Sequence, residues 1–229
     1  MNYHNITYPD MNNGEGLRVV LWLSGCSHKC KGCQNPQTWD ANSGIPFDES
    51  AKEELFRELD KDYISGLTLT GGDPLFESNL DGVLDLVTEV NKRYNTVQYI
   101  DENAQGNHNM LNINANEIRL LSPQKTIWLY TGYTIYTCEY FGETIFTFNP
   151  SYYHLNPLNG RPIKVDDKAF FIKQDRKRIE IIKNIDVLID GEYKEQQRDI
   201  TLPWVGSSNQ KVINVKKSLQ KGEIVLWQT

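Results

Sequence analysis

Cys26, Cys30 and Cys33 lie on one short segment, Ser24-Gly25-Cys26-Ser27-His28-Lys29-Cys30-Lys31-Gly32-Cys33-Gln34-Asn35. A Cys-x3-Cys-x2-Cys spacing puts three thiolates where they can hold three corners of a cubane iron–sulfur cluster. A full protein ligand set for such a cluster is four cysteines. Three leave one iron open, and an open coordination position is where a small molecule can bind and react. Gly25 and Gly32 would let the backbone pass close to inorganic sulfides. The same spacing also admits a structural zinc site, with His28 or the distant Cys138 as fourth ligand.

A second segment, Thr70-Gly71-Gly72-Asp73-Pro74, follows a strand pattern and precedes a helix pattern. That position is the carboxyl edge of a sheet, where ligands bind in α/β folds. Two glycines remove side chains, so a ligand can meet the backbone directly. Pro74 fixes the turn and could leave upstream carbonyls as acceptors for an ammonium group. On this reading, a β-branched residue at Gly72 blocks the ligand while sparing the metal site. The plain alternative is a tight turn whose Asp73 caps the next helix.

The elements that must position these residues are legible in the hydrophobic pattern. Arg18-Val19-Val20-Leu21-Trp22-Leu23 is an apolar run suited to a buried strand, and it delivers the cysteine loop at its end. Asp48-Glu49-Ser50 offers N-cap chemistry for a helix of about ten residues with Leu55, Phe56 and Leu59 on its stripe. Gly66 to Thr70 is a second strand. A helix from about Asn79 to Arg93 follows, with Leu80, Val83, Leu84, Val87 and Val90 on one face. Thr126 to Tyr130 and Ile185 to Ile189 are further strands, the latter preceded by a helix through Ile179 and Ile182. This alternation implies an α/β domain with a mainly parallel sheet. Both motifs then lie on one edge of neighbouring strands.

Two stretches break the rhythm and read as insertions, at about 95–117 and 135–173. The first is rich in Asn and Gly. The second is rich in Tyr and Phe, carries turn signals at Asn156-Pro157 and Asn159-Gly160-Arg161-Pro162, and could form a β-hairpin or a small subdomain. The 229 residues fit one domain spanning 1–229. Charged residues make up 24 % and the net charge is −6, which disfavours general nucleic-acid binding. No apolar run has the length of a membrane span, and the N-terminus lacks signal-peptide features, so a cytoplasmic location is expected. Only four cysteines are present, three of them clustered, which points to metal rather than disulfides.

Taken together, the motifs resemble the radical S-adenosylmethionine (radical SAM) superfamily. Cys26, Cys30 and Cys33 match its cluster motif, and Gly71-Gly72-Asp73-Pro74 matches its "GGEP" motif. Asn13-Gly14-Glu15-Gly16-Leu17-Arg18 resembles the "(D/N)GPGxR" segment of the glycyl-radical activating enzymes, and Thr38-Trp39 looks like their "TW". Within that group the chain is most similar to activating proteins of anaerobic ribonucleoside-triphosphate reductase. The segments Ile127 to Thr134, Asp186 to Tyr193 and Gly206 to Gln210 carry that narrower likeness. Gly32, where the superfamily often has an aromatic residue, and Asp73, where Glu is commoner, are both substitutions this subgroup shows.

The resemblance implies an incomplete radical-SAM α/β barrel and two cofactors, a [4Fe-4S] cluster on Cys26, Cys30 and Cys33 and S-adenosylmethionine. It implies that Gly71, Gly72, Asp73 and Pro74 bind the cofactor's methionine end, and that backbone around Gly32 and Gln34 meets the adenine. It further implies reductive cleavage of S-adenosylmethionine and a glycyl radical on the reductase large subunit. The implied partners are that subunit and a one-electron donor, flavodoxin-like or another reductant, in the cytoplasm (the host's, if the source is viral), with no nucleic acid and no membrane. The rival readings are an activator of another glycyl-radical enzyme, such as pyruvate formate-lyase, and a non-catalytic zinc- or cluster-binding module.

Other residues are assigned plainer roles. Cys138 is expected to be a partly buried thiol. His28 is expected to face outward or hydrogen-bond rather than ligate. Lys173, Arg176, Lys177 and Arg178 read as the solvated face of a helix. Gly206 to Gln210 is either a cleft wall or a turn before a final strand.

Overall fold

The computed structural model describes residues 1–95, 98–99, 118–119, 124–140, 143–148 and 168–228. In chain order the strands are β1 (Asn2–Asp10), β2 (Arg18–Leu23), β3 (Ile45–Pro46), β4 (Gly66–Gly71), β5 (Gln98–Tyr99), β6 (Ile118–Arg119), β7 (Thr126–Tyr130), β8 (Tyr136–Tyr140), β9 (Glu143–Thr147), β10 (Val187–Asp190) and β11 (Lys211–Asn214). The α-helices are α1 (Glu49–Leu59), α2 (Leu80–Val90), α3 (Lys168–Lys183) and α4 (Val215–Lys221).

Seven strands form one sheet in the order β11-β10-β7-β4-β2-β1-β3. The four central strands, β10, β7, β4 and β2, run parallel. The flanking strands β1, β3 and β11 are antiparallel additions. The expected mixed α/β class with a mostly parallel central sheet is therefore present. Strands β1 and β3 escape a sequence reading. β1 is half polar and carries Pro9, so it lacks the continuous apolar run that marks a central strand. No helix among the described residues is long and apolar enough to cross a membrane.

Period-two alternation gives the central strands two different faces. Val19, Leu21, Leu23, Leu67, Leu69, Ile127, Leu129 and Leu188 point to the helices and form the main core with Leu55, Leu59, Val83, Val87 and Ile181. Asp48 caps α1 as expected, accepting a hydrogen bond from the Ala51 N–H at 3.0 Å. Helix α2 is shorter than expected, ending at Val90 before a π-turn over Asn91–Asn95. Its buried stripe is Leu80, Val83, Leu86, Val87 and Val90, with Leu84 only partly buried.

The opposite sheet face carries no helix among the described residues. Trp128, Val187 and Ile189 form a small second cluster there with Trp204 and Trp227 from the C-terminal segment. Buried Arg18 ties the preceding loop to this face. It donates to Thr68 Oγ1 (2.6 Å) and to the carbonyls of Glu15 (3.1 Å), Leu67 (2.6 Å) and Thr126 (2.8 Å). Thr68 in turn donates to the Asn13 carbonyl at 2.7 Å.

The two expected insertions are only partly described. Strands β5 and β6 pair antiparallel at the ends of the first, and most of 95–117 lies outside the described residues. The expected hairpin in the second is β8–β9. Its turn signals at 156–162 lie outside the described residues, and α3 already begins at Lys168.

Candidate functional site

Parallel pairing aligns Leu23 with Gly71, so the ends of β2 and β4 release their loops side by side. Two backbone hydrogen bonds lock the loops together, Gly72 N–H to Leu23 O (2.7 Å) and Asp73 N–H to Gly25 O (2.7 Å), and Gly25 N–H to Thr38 O (2.7 Å) closes the cysteine segment on itself. The closeness explains the glycines. A Cβ on Gly71 would lie 2.7 Å from Leu23 N, and one on Gly72 would lie 2.5 Å from Gly25 O. Sequence alone assigns these glycines to a ligand; packing requires them for the approach of the cysteine loop itself. Gly71 also has φ +101°, a region that favours glycine.

One open cavity of about 580 Å³ lies over this edge. Cys26, Cys30 and Cys33 line it together with Gln34, Gly71, Gly72 and Asp73. Gly32 and Pro74 do not. Gly32 is exposed with φ +77° against the Glu195 carboxylate, and Pro74 is buried behind the turn. Asp73 is 1 % exposed, and its carboxylate is taken up by the protein. It accepts from Leu75 N–H (2.8 Å), Thr131 Oγ1 (2.9 Å) and Gly132 N–H (2.9 Å), stitching the β4 edge to the β7 edge.

The thiols are not disulfide-bonded. Burial, and then the nearby Asp73 carboxylate, push the Cys26 thiol up to about 11. Burial also raises Cys30. Backbone N–H groups of His28 and Lys29 oppose this at Cys26, and that of Tyr193 does so at Cys30. The Asn35 N–H donates to Cys33 Sγ at 3.4 Å. Backbone donors aimed at sulfur are what metal-bound thiolates use. Among the described residues no three His, Cys, Asp or Glu side chains converge on a single ion. Tetrahedral zinc would need sulfurs about 4 Å apart. All three thiols nonetheless line one cavity, as a metal group shared between them requires.

His28 does not face outward. Its side chain is 11 % exposed, with Nδ1 2.9 Å from Glu192 Oε1 and Nε2 3.1 Å from Asp73 Oδ2. Burial alone would lower its pKa; the two carboxylates outweigh burial and hold it above the ordinary imidazole value. Both ring nitrogens face carboxylates, which excludes His28 as a fourth zinc ligand in this arrangement. Cys138 lies on β8 and does not line the cavity.

Several contributors were not legible as site residues. Glu192 and Tyr193 follow β10 and clasp the cysteine loop from the side away from β2. Arg178 is not on a solvated face. It donates to Leu75 O (3.0 Å) and Tyr133 OH (3.1 Å), and its guanidinium sits 4.3 Å from the Tyr133 ring. A helical charge run hides this, because only the packing of α3 beside Leu75 and Tyr133 tells which cation turns inward. Gly206 and Gln210, which the sequence did offer as either wall or turn, are both. Gln210 Oε1 accepts from Gly206 N–H (2.9 Å), and both residues line the cavity.

The class comes from the matching family model, that of a 4Fe-4S single cluster domain, which matches residues 12–104 and 167–213. Over 212 residues the chain is 33 % identical to the anaerobic ribonucleoside-triphosphate reductase-activating protein of Enterobacteria phage T4, covering 93 % of each chain. It is 31 % identical to the protein of that name from Pasteurella multocida, covering 92 % of this chain and 95 % of the other. For the Escherichia coli K12 protein the identity is 30 % over 218 residues, covering 94 % and 100 %. The chain belongs to the anaerobic ribonucleoside-triphosphate reductase-activating protein family.

Proposed function

We propose that this protein is a radical-SAM activase that installs a glycyl radical on the large subunit of an anaerobic (class III) ribonucleoside-triphosphate reductase. The observation that carries this reading is the shared cavity: the three thiols and the Gly71–Asp73 edge open into the same space of about 580 Å³. That volume suits a nucleoside-sized cofactor. Cys26, Cys30 and Cys33 would hold a [4Fe-4S] cluster, with Gly71 and Gly72 beside the methionine end of S-adenosylmethionine and Gln34 towards its adenine.

Bound there, the cluster would supply one electron and an open iron for the sulfonium cofactor, whose sulfur–C5′ cleavage yields the radical that removes a glycine Cα hydrogen. The chain's own residues do the rest. Thr70, Asp73 and Thr131 give the cavity a buried floor, and a docked partner segment would close its open side to water. The Arg18 clamp holds Asn13 at the cavity wall. Ile200, 83 % exposed at the rim, gives an entering partner segment an apolar contact. The seven-stranded sheet is read as the wall of an incomplete radical-SAM barrel, open on the side that a glycine loop would enter. The electron donor is a one-electron reductant, flavodoxin-like or another, and the location is the cytoplasm.

The test is anaerobic reconstitution with iron and sulfide, followed by reductant, S-adenosylmethionine and the reductase subunit. Electron paramagnetic resonance should then show a glycyl radical. Cofactor cleavage without a radical on the subunit would keep the chemistry and sink the partner. Stoichiometric zinc without iron in anaerobically purified protein would sink both.

A further inference from the structure

We propose that His28 is the positioning residue that holds the cysteine loop in register with the Gly71–Asp73 edge, so that cofactor affinity depends on it. This rests on the reading of the cavity as a cluster and S-adenosylmethionine site.

The imidazole is clamped by residues from the ends of three neighbouring strands. Asp73 after β4 lies 3.1 Å from Nε2, and Glu192 after β10 lies 2.9 Å from Nδ1. The Asp73 contact is within ion-pair range but off axis for a hydrogen bond. After β7, Tyr133 meets the ring edge-on, with centroids 4.6 Å apart and planes at 77°. Gly132 leaves it no slack, because a Cβ there would lie 2.4 Å from His28 Cδ2. Tyr133 is itself braced from α3 by Arg178.

His28 stands between Cys26 and Cys30, where Lys29 takes a positive φ of 48°. The backbone bonds to Gly25 and Cys26 fix the loop before this point. Beyond it, the His28 side chain ties the loop to the sheet edge, with Tyr193 N–H on Cys30 as a second tie. A cofactor held at once by an open iron and by the Gly71–Asp73 edge spans two parts whose relative place His28 sets. Loosening the ring leaves both parts present and disturbs their distance. The chemistry that recognises the ligand is therefore the two-point grip, and His28 is the spacer.

The experiment uses the full chain, reconstituted anaerobically and reduced, with the resonance line shape of the cluster followed as S-adenosylmethionine is added. His28→Ala should keep its iron and sulfide content while needing at least about tenfold more cofactor for the half-maximal change, the size of one lost charge-assisted hydrogen bond. His28→Gln, which retains a donor, should recover part of this. A purely structural role predicts something else: fewer loaded molecules, each responding at the wild-type cofactor concentration. That outcome overturns the proposal. If His28→Ala cannot hold a cluster, Gly132→Ala displaces the ring while keeping its chemistry, and a wild-type response in its loaded fraction overturns the proposal equally. Absence of any line-shape response in the wild-type protein would instead overturn the cofactor reading on which the proposal rests.

Discussion

Gly72→Ala separates two roles for the paired glycines. The added Cβ would lie 2.5 Å from the Gly25 carbonyl oxygen and 3.0 Å from Gly25 C and N. Gly25 cannot simply retreat, because its N–H is bonded to Thr38 O and its carbonyl to Asp73 N–H, each at 2.7 Å. Forcing a methyl into such packing costs about 1–3 kcal/mol. Straining or losing the Asp73–Gly25 hydrogen bond adds about 1 kcal/mol. A total near 3 kcal/mol should lower the urea midpoint of the metal-free protein by roughly 1 M, followed by tryptophan fluorescence. Because Cys26 adjoins Gly25, iron and sulfide retained after anaerobic reconstitution should fall in parallel. A glycine needed only for ligand access predicts a sound fold and a full cluster with weak cofactor binding. An unchanged midpoint with full iron would refute the packing argument and restore the ligand one.

Replacing any one of Cys26, Cys30 or Cys33 by Ala should abolish S-adenosylmethionine cleavage, whereas Cys138→Ala should leave iron content and cleavage intact; normal 5′-deoxyadenosine production by Cys30→Ala would refute the ligand set. Arg18→Met removes the buried donors to Thr68 Oγ1 and the Leu67 carbonyl, along with part-buried bonds to Glu15 and Thr126, and should cost about 3 kcal/mol in denaturant unfolding; a loss below about 1 kcal/mol would show that the clamp is dispensable. Burial raises the Asp190 carboxyl above its ordinary value, against the Ile135 N–H that donates to it at 3.1 Å. Such a carboxyl favours the folded state while protonated, and that contribution is lost as pH rises through its folded value. Asp190→Asn keeps an acceptor and removes the charge, so its stability relative to wild type should be greater at about pH 7 than at about pH 4; equal differences at both would refute the burial argument.

The central strands and helices α1 and α2 were legible because their signals are local. The run Arg18 to Leu23 is apolar without interruption, and Asp48 carries its own capping chemistry. Strands β1 and β3 were not, since β3 is a two-residue edge strand, β1 beside it is half polar, and the partners of both are chosen at a distance. The cysteine set was legible from spacing. The setting of His28, Tyr133, Arg178 and Glu192 was not, because these four come from the cysteine loop and from positions after β7, on α3 and after β10.

Sequence by itself determined which atoms can do chemistry: three thiols within eight residues, and a glycine pair one strand–helix–strand unit later. Residue type and short spacing suffice for that, since ligand chemistry is a property of side chains. Only the tertiary structure decided what those residues face. Parallel pairing of β2 with β4 set Gly72 against Gly25, closed Asp73 into a stitch to β7, and turned His28 inward between two carboxylates. Those contacts join residues up to 164 positions apart in the chain, a distance at which no local pattern carries information.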